Sequence, residues 1–281
     1  MTDSSANIIP HPFLNGLTLF TAGRSPHRHD VHGHNAYSVI GLTSGAKYYH
    51  HQGATHSVSA FEIAVANPGE LHGCGPVDNK PWSHRTWYLS EELVREVCGI
   101  ADDEETPILD APVIRDRKTA RHLISAHKRC DIEIEALEGQ SIALEALGLL
   151  FDNHSSYREV EQSTITINAA ERMPIYLSFL QQSVSNAPDL TDLANAAGVK
   201  RNQVIRDFKA AEGVTPGQYF RSMRLNLAKQ LIRAGKNLVE TAGESGFSDQ
   251  SHFTRSFKRA FGITPNAFKR ISLQSSGNAP F

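Results

Sequence analysis

The chain has 281 residues and a formal net charge of −2, with 40% hydrophobic and 21% charged residues, so more than one globular domain is expected. No apolar run approaches the roughly 18 residues that a membrane span needs, and the N-terminus lacks the profile of a secretion signal. Cys74, Cys98 and Cys130 form no C-x-x-C pair, which favours a reducing compartment and predicts a cytoplasmic protein. Membrane, secreted and fibrous classes are therefore not expected.

Charge divides the chain into an acidic and a basic part. Residues 1–166 carry 13 basic and 22 acidic side chains, net −9, whereas residues 167–281 carry 15 and 8, net +7. Thirteen of the 14 histidines precede residue 155. A basic C-terminal part suits a polyanionic partner such as double-stranded DNA, whereas the acidic part does not.

Residues from about 15 to 90 form short apolar runs separated by turn residues, such as those over 37–42 and 63–65. Strands of about five residues with turn signals every 8–12 residues or so predict a β-sandwich or barrel. From about 117 to 152, apolar residues recur at three- and four-residue steps, which predicts two amphipathic helices separated near Gly139. The polar, aperiodic residues 154–168 predict a linker between a domain over 1–153 and a domain over 169–281.

The histidines of the predicted barrel have a recognisable spacing. The pattern His32-x-His34, then Gly45, then Pro68-Gly69-x-x-His72 resembles the two motifs of the cupin superfamily and implies a cupin-like barrel. In metal-dependent cupins a Glu follows the second His, whereas this chain has Tyr37 and Ser38 there. Two alternatives remain open. The three imidazoles bind zinc, iron or nickel, or they bind one another and a small organic ligand inside the barrel.

Arg85 and Trp87 lie two residues apart and therefore on one face of a predicted strand. A guanidinium beside an indole suits a small anionic or zwitterionic ligand, although core packing of Trp87 and a surface ion pair of Arg85 explain them equally well. We predict no metal cofactor and a small-molecule effector of unknown identity. The predicted ligand-binding residues are His32, His34, Tyr37, His72, Arg85 and Trp87.

The C-terminal part contains an internal repeat. The segment 206–216 matches 255–265 at an offset of 49 residues, with Arg206 aligned to Arg255, and Gly198 aligns with Gly246 at an offset of 48. Each copy has a small-residue helix, a glycine turn and a second helix with polar faces, which predicts two helix-turn-helix units. Residues 218–234 predict one long helix that holds the two units apart.

The second helices are the candidate DNA readers, because their exposed polar side chains suit base edges and phosphates in a major groove. Basic helical repeats also serve as packing or protein-interaction units, but the paired turns and the charge of +7 favour DNA. The predicted DNA-binding residues are Arg201, Asn202, Gln203, Ile205, Arg206 and Lys209 in the first copy and Gln250, Ser251, His252, Arg255, Lys258 and Arg259 in the second.

The segment 246–265, followed by Phe268 and Arg270, resembles the signature of the AraC/XylS transcription regulators, over about residues 170–271. The resemblance implies a multidomain α+β chain, with a cupin-like sensing barrel, following helices that dimerise and an all-α double helix-turn-helix domain. It also implies a ligand-responsive bacterial regulator rather than an enzyme. Trp87 matches a ligand-stacking aromatic of arabinose-sensing relatives, but Ser44 replaces the Arg that holds the sugar, which favours a different metabolite.

A homodimer is predicted through the apolar stripes around 119–152, and contact with RNA polymerase is expected if the protein activates transcription. Two other functions remain open. One is a metal-dependent cupin enzyme fused to a DNA-binding domain, which needs a full ligand set and a general base. The other is a transition-metal sensor built on His32, His34 and His72.

Overall fold

The computed structural model describes residues 6–26, 28–101, 104–130, 135–156, 169–184, 186, 188–261 and 263–275. An antiparallel β-domain is followed by helices, so the predicted α+β class with an all-α C-terminal region is confirmed. The strands are β1 (Ala6–Pro10), β2 (Leu17–Ser25), β3 (His29–His32), β4 (Tyr37–Ser44), β5 (Ala46–His51), β6 (Ala54–Ser59), β7 (Ile63–Ala66), β8 (His72–Pro76), β9 (Trp82–Leu89) and β10 (Val113–Ile114).

Two sheets face each other across the β-domain. The first has the strand order β1-β2-β9-β4-β7-β10, and the second has the order β3-β8-β5-β6. All named strand pairs are antiparallel, and β9 lies between β2 and β4 with Thr86 paired to Phe20 on one side and to Ile40 on the other. Because successive side chains of a strand point to opposite faces, one face of β9 points into the space between the sheets and the other points outward.

Three helices cover the outer face of the first sheet. They are α1 (Glu91–Cys98), α2 (Arg117–Cys130) and α3 (Ala136–His154). The predicted helix break near Gly139 is wrong, since α2 ends at Cys130 and Gly139 lies in the first turn of α3, where its N–H donates to the carbonyl of Glu135. A glycine inside a helix costs about 1 kcal/mol relative to alanine, which is too little to end a helix held by tertiary packing. Residues 157–168 of the predicted linker lie outside the described residues.

The C-terminal region consists of seven helices in the described residues, and its two helix-turn-helix units are α5–α6 and α8–α9. Helix α7 connects the units as the predicted long helix. None of the helices in the described ranges is long and apolar enough to cross a membrane. The seven are α4 (Ala169–Gln182), α5 (Leu190–Ala197), α6 (Arg201–Glu212), α7 (Pro216–Arg233), α8 (Leu238–Glu244), α9 (Gln250–Phe261) and α10 (Pro265–Ser275).

One continuous apolar core joins the β-domain to the first helix-turn-helix unit. It runs from Trp87 of β9 through Leu147 of α3 to Val204 and Phe208 of α6. The second unit has a separate core built on Phe253 and Phe257 of α9 and the C-terminal half of α7. The first unit is therefore held against the β-domain by burial of apolar side chains, which is the main stabilising contribution in such contacts.

Candidate functional site

A cavity of about 840 Å³ lies between the two sheets. The first sheet contributes Phe20, Ile40 and Thr86, which are cross-strand neighbours on one face. The second sheet contributes side chains of β3, β5 and β8, among them Lys47 and His72. The volume lies within the range of about 300–1,000 Å³ that small-molecule sites usually have.

His32, His34 and His72 come together in the wall of this cavity. One ring nitrogen of each lies within 4.8 Å of the others, and His32 pairs with His72 across β3 and β8. The Nδ1–H of His32 donates to the carbonyl of Asp30 at 2.6 Å, and the Nδ1–H of His72 donates to the carbonyl of Glu70 at 3.2 Å. Each of these two rings therefore has its Nε2 left to contact a ligand.

Burial keeps the rings of His34 and His72 neutral near pH 7. Burial lowers the pKa of His72 to about 4, against an opposing hydrogen bond to Glu70 and with the charges of His32, His34 and Lys47 acting in the same direction as burial. Burial also lowers the pKa of His34, and the charge of His32 lowers it further. Neutral imidazoles both ligate transition metals and accept hydrogen bonds from an organic ligand.

Arg85 and Trp87 do not line this cavity, so their predicted role as ligand-binding residues is wrong. They share one face of β9, but this face points to α2. The Arg85 guanidinium donates to Nδ1 of His127 at 2.9 Å, and Trp87 is 1% exposed in the core. Strand alternation explains the error, because the β9 residues turned toward the cavity are Trp82, His84, Thr86 and Tyr88.

Tyr37 is also absent from the cavity wall. Its hydroxyl donates to the carbonyl of Pro107 at 2.6 Å, and its ring packs edge-on against Phe151 of α3. The alternation of β4 turns Ile40 to the cavity and Tyr37 and Val39 to the core. The predicted role of Tyr37 in ligand binding is therefore corrected to a packing role.

The sequence interpretation missed Lys47, which lines the cavity from β5 and is fully buried. A signal was present, because Lys47 and Tyr49 alternate with the exposed Tyr48 and His50. Lys47 therefore shares the inward face with Tyr49, where an apolar residue is usual. Burial lowers the pKa of Lys47 to about 8, with a smaller opposing effect of Cys74, so most Lys47 side chains are charged at pH 7.

The first helix-turn-helix unit is fixed by local signals in its sequence. The Asp189 side chain accepts from the N–H of Asp192 at 2.9 Å and caps α5. Gly198 then makes the turn at φ +66°, in the left-handed region that glycine adopts without strain. Helix α6 begins after Lys200, which supplies no capping side chain.

A buried ion pair attaches α6 to α4. The Arg172 guanidinium donates to Asp207 at 2.6 and 2.8 Å, and the hydroxyl of Tyr176 donates to the same carboxylate at 2.8 Å. Burial opposes ionisation of Asp207, but these hydrogen bonds and one from Gln203 outweigh it, so the pKa of Asp207 lies below its usual value. The pair fixes the orientation of α6 within its unit.

The polar face of α6 contacts α1 of the β-domain. The Arg201 guanidinium donates to both oxygens of Glu96. The side-chain amide of Asn202 donates to the carbonyl of Val97 at 3.3 Å, and the Lys200 ammonium donates to the carbonyl of Gly99 at 2.8 Å. The N-terminal turn of α6, where a recognition helix contacts bases, is therefore covered by α1.

Helix α3 covers the rest of that face. The Lys209 ammonium lies 2.5 Å from Oε1 of Glu145, and Ile205 is 6% exposed. Arg206 borders a crevice between α6 and α3 that also includes Asp152 of α3. Five of the six predicted DNA-binding residues of α6 thus face the β-domain side in this arrangement, and Gln203 instead donates to Asp207 at 2.9 Å.

The corresponding face of α9 is largely open. Asp249 caps this helix, since its carboxylate accepts from the N–H of His252 at 2.7 Å. His252 is half-buried and lies 3.9 Å from Glu135. The remaining predicted DNA-binding residues of α9 are exposed; they are Gln250, Ser251, Arg255, Lys258 and Arg259.

Helix α7 also contacts α3. The buried Arg224 guanidinium donates to Glu135 at 2.6 Å and to the carbonyl of Ser245 at 2.8 Å, and Arg221 pairs with Glu138. At Gly217 an added Cβ would lie 2.5 Å from Cα of Glu138, so only glycine allows this approach. Both the first helix-turn-helix unit and the start of α7 therefore pack against the β-domain.

Two family models match the chain. One, described as an AraC-like ligand binding domain, covers residues 14–151, and the other, described as a helix-turn-helix domain, covers residues 193–271. Together they span both the cavity and the two helix-turn-helix units.

Individual relatives agree with the family models. A transcriptional regulator of Bacillus subtilis, YbfI, is 25% identical over 225 residues, which cover 79% of this chain and 80% of that protein. The TetD protein of transposon Tn10 from Escherichia coli is 35% identical over 98 residues, which cover 34% of this chain and 71% of TetD. A crystal structure of an AraC-type regulator from Chromobacterium violaceum is 30% identical, with 38% of this chain and 99% of that chain covered and a TM-score of 0.36.

Proposed function

The chain belongs to the AraC family of transcriptional regulators, and we propose that a small molecule bound between its two sheets controls whether helix α6 reads DNA. As a member of this family, the protein is a ligand-responsive, sequence-specific DNA-binding regulator. The contact of α6 with α1 and α3 carries the proposal, because it covers side chains that a recognition helix uses in the groove. The arrangement described above is then the form in which α6 is withheld.

The second helix of each helix-turn-helix unit, α6 and α9, is proposed to read DNA once α6 is released. Arginines are the strongest candidates for base contacts, since one guanidinium can bind O6 and N7 of guanine together. Exposed lysines on the same faces are candidates for phosphate contacts. The proposed contact residues are Arg201, Asn202, Gln203, Ile205, Arg206 and Lys209 on α6 and Gln250, Ser251, His252, Arg255, Lys258 and Arg259 on α9.

The released chain is expected to protect two short DNA blocks about 10 bp apart, because α7 joins the two units as one helix. Replacing Lys258 by Ala is expected to weaken binding to all sequences alike and to reduce the slope of log affinity against log salt by about 1. Footprinting and salt titration measure both. Lys80→Ala, on an exposed lysine of the β-domain, is the matched control. A loss confined to one sequence, or an unchanged slope, contradicts the phosphate role of Lys258.

A short structural route connects the cavity with α6. Strand β9 lines the cavity with Thr86 and Tyr88 and continues through Ser90 into α1, whose N-terminus is capped by the Ser90 side chain. Helix α1 carries Glu96, the partner of Arg201. A ligand that shifts β9 therefore acts on the element that holds the N-terminal turn of α6, which supports coupling between effector binding and release.

Several broader features are also proposed. They are the domain division at 1–153, 154–168 and 169–281, contact with RNA polymerase during activation and a cytoplasmic location. A homodimer remains a prediction, but the stripe on which it was based is covered within the chain, since Leu123 of α2 and Leu147 of α3 are buried. Sedimentation of the full chain at micromolar concentration decides between monomer and dimer.

A metal sensor is the second candidate function, because three histidine nitrogens converge. His32, His34 and His72 fit a divalent zinc, iron or nickel ion, with an open position for a further ligand. Backbone carbonyls already orient two of the rings, as is common for metal-binding imidazoles. An ion bound there would supply a Lewis-acidic centre. An enzyme is less well supported, since no Asp or Glu of the described residues lines the cavity to act as a carboxylate base.

Chelation is expected to change the melting temperature and DNA affinity little, because the hydrogen bonds of His32 and His72 hold the cluster without an ion. Elemental analysis of purified protein and a thermal melt with and without chelator measure this. Stoichiometric zinc or nickel that chelation removes, with a matching change in DNA affinity and loss of both effects in His72→Gln, would instead establish the metal sensor.

A further inference from the structure

Lys47 is an unusual residue for the interior of a β-domain. Lys47 is one of the residues that line the cavity, and its fully buried ammonium has no hydrogen-bond or ion-pair partner among the described residues. It lies 5.1 Å from the ring centroid of Tyr49 and 5.0 Å from that of Trp82. These cation–π contacts attract the charge, but they satisfy none of its three N–H donors.

A second polar group at the cavity has no hydrogen-bond partner in the part of the chain that the structure describes. The hydroxyl of Thr86 is buried, and Thr86 is 1% exposed on the β9 face that lines the cavity. Buried polar groups are nearly always hydrogen-bonded in native proteins, so two such groups around one cavity indicate a ligand that bonds to both. The two groups come from opposite sheets, β5 and β9, and therefore face the same space from two sides.

Lys47 gives the cavity wall a positive charge that no acidic side chain of the described residues in this wall balances. Lys47 and five histidines line it, whereas no Asp or Glu of the described residues does. A buried ammonium without a counter-charge is unfavourable, and an anion entering the cavity removes that cost through charge-assisted hydrogen bonds. A cationic ligand would be repelled, and a neutral polyol would leave the Lys47 charge uncompensated.

The rest of the wall is apolar and aromatic. It includes Phe20, Ile40, Tyr49, Trp82 and Tyr88. Such a surface binds an alkyl or aromatic body by burial and stacking. Charge and shape therefore point to one class of molecule.

We propose that the effector is a carboxylate with an apolar or aromatic body, whose carboxylate accepts hydrogen bonds from Lys47 and Thr86. The inference rests on the proposed function, in which this cavity binds the effector. The histidine cluster lies in the same wall and supplies further donors or acceptors to the ligand. Binding compensates the charge of the Lys47 ammonium and satisfies the Thr86 hydroxyl in one step.

The test compares acids with their uncharged amides on the full-length protein. Benzoate, phenylacetate and octanoate are titrated beside benzamide, phenylacetamide and octanamide by calorimetry and thermal shift. We expect the best acid to bind at least about tenfold more tightly than its amide, as expected when one charge-assisted hydrogen bond is lost. Equal binding of acids and amides, or binding by none of the acids, overturns the proposal.

Two variants test whether Lys47 and Thr86 cause the tighter binding of acids. Lys47→Met keeps the length of the side chain and removes the charge, and it is expected to weaken acid binding about ten- to a hundredfold with amide binding unchanged. Thr86→Val, which keeps the shape, is expected to weaken it a few-fold. Lys128→Met, on an exposed residue of α2, is the control. Acid binding by Lys47→Met equal to that of the wild type overturns the proposal.

Two further measurements keep the result interpretable. The melting temperature of Lys47→Met without ligand is expected to equal or exceed that of the wild type, because an uncompensated buried charge is removed. If that variant fails to fold, Thr86→Val and the acid–amide comparison still decide. Wild-type DNA binding is measured on the same preparation. DNA binding without any preference for acids refutes the carboxylate effector alone, whereas absent DNA binding even by the Glu96→Gln/Glu145→Gln chain, which lacks the contacts that hold α6, refutes the proposed function.

Discussion

The variant Glu96→Gln/Glu145→Gln is expected to bind its DNA site about 30-fold more tightly than the wild-type chain. The carboxylate of Glu96 accepts hydrogen bonds from Nε and Nη2 of Arg201, and Glu145 pairs with Lys209 at 2.5 Å. Both contacts exist only while α6 lies against the β-domain. Losing them therefore destabilises the withheld form without changing any side chain of α6.

The expected 30-fold gain in DNA affinity follows from a two-state equilibrium between the withheld and the released form. DNA binds only the form in which α6 is released, so the apparent dissociation constant is the intrinsic one divided by the released fraction. The four side chains of the two pairs are between 16% and 36% exposed, so each pair contributes about 1 kcal/mol after allowing for solvent. Two such contributions multiply the released fraction by about 30 while that fraction is small.

Removing two acidic groups also strengthens DNA binding through long-range charge, so the control must carry the same charge change. Glu62→Gln/Asp78→Asn neutralises two carboxylates that pair with Arg115 and Lys80, within the β-domain and away from α6. We expect this control to bind DNA much like the wild type. The difference between the two double variants, measured by fluorescence anisotropy at several salt concentrations, isolates the release of α6. Equal affinities for both would mean that α6 is not withheld in solution.

Local patterns predicted most elements of this fold. Short apolar runs with Gly and Pro turns specify the strands, and the offset of 49 residues between Arg206 and Arg255 specifies two equivalent helices. Which face of a strand points to the cavity was harder to predict, because Arg85 and Trp87 fit a ligand site as well as they fit a core. The packing of α2 against β9, through His127, shows that the face with Arg85 and Trp87 points away from the cavity.

Contacts between distant parts of the chain could not be predicted. Glu96 and Arg201 are separated by 105 positions, and both resemble ordinary solvated charges on amphipathic helices. Gly217 gave no sign of its close approach to Glu138, since a glycine near a helix start has several explanations. The coverage of the apolar face of α3 by the C-terminal helices could not be predicted from the sequence either.

Replacing Arg206 or Arg255 by Ala is expected to weaken DNA binding by about 1–3 kcal/mol each and to relax sequence preference within one block only. The two residues occupy equivalent positions in the repeat, one on α6 and one on α9. Arg255 is exposed, whereas Arg206 borders the crevice between α6 and α3. Arg206→Ala can therefore change the withheld form as well as the DNA contact.

Both substitutions are therefore introduced into the Glu96→Gln/Glu145→Gln chain, in which α6 is largely released. Each variant is titrated against the full site and against sites with one block scrambled. Arg206→Ala should lose affinity only where the α6 block is intact, and Arg255→Ala only where the α9 block is intact, because each guanidinium reads its own groove segment. Arg117→Ala, an exposed arginine of α2, carries the same charge change and should affect all sites equally and weakly. Uniform loss across all sites would make these arginines phosphate contacts, and no loss in either variant would remove both helices from the reading of DNA.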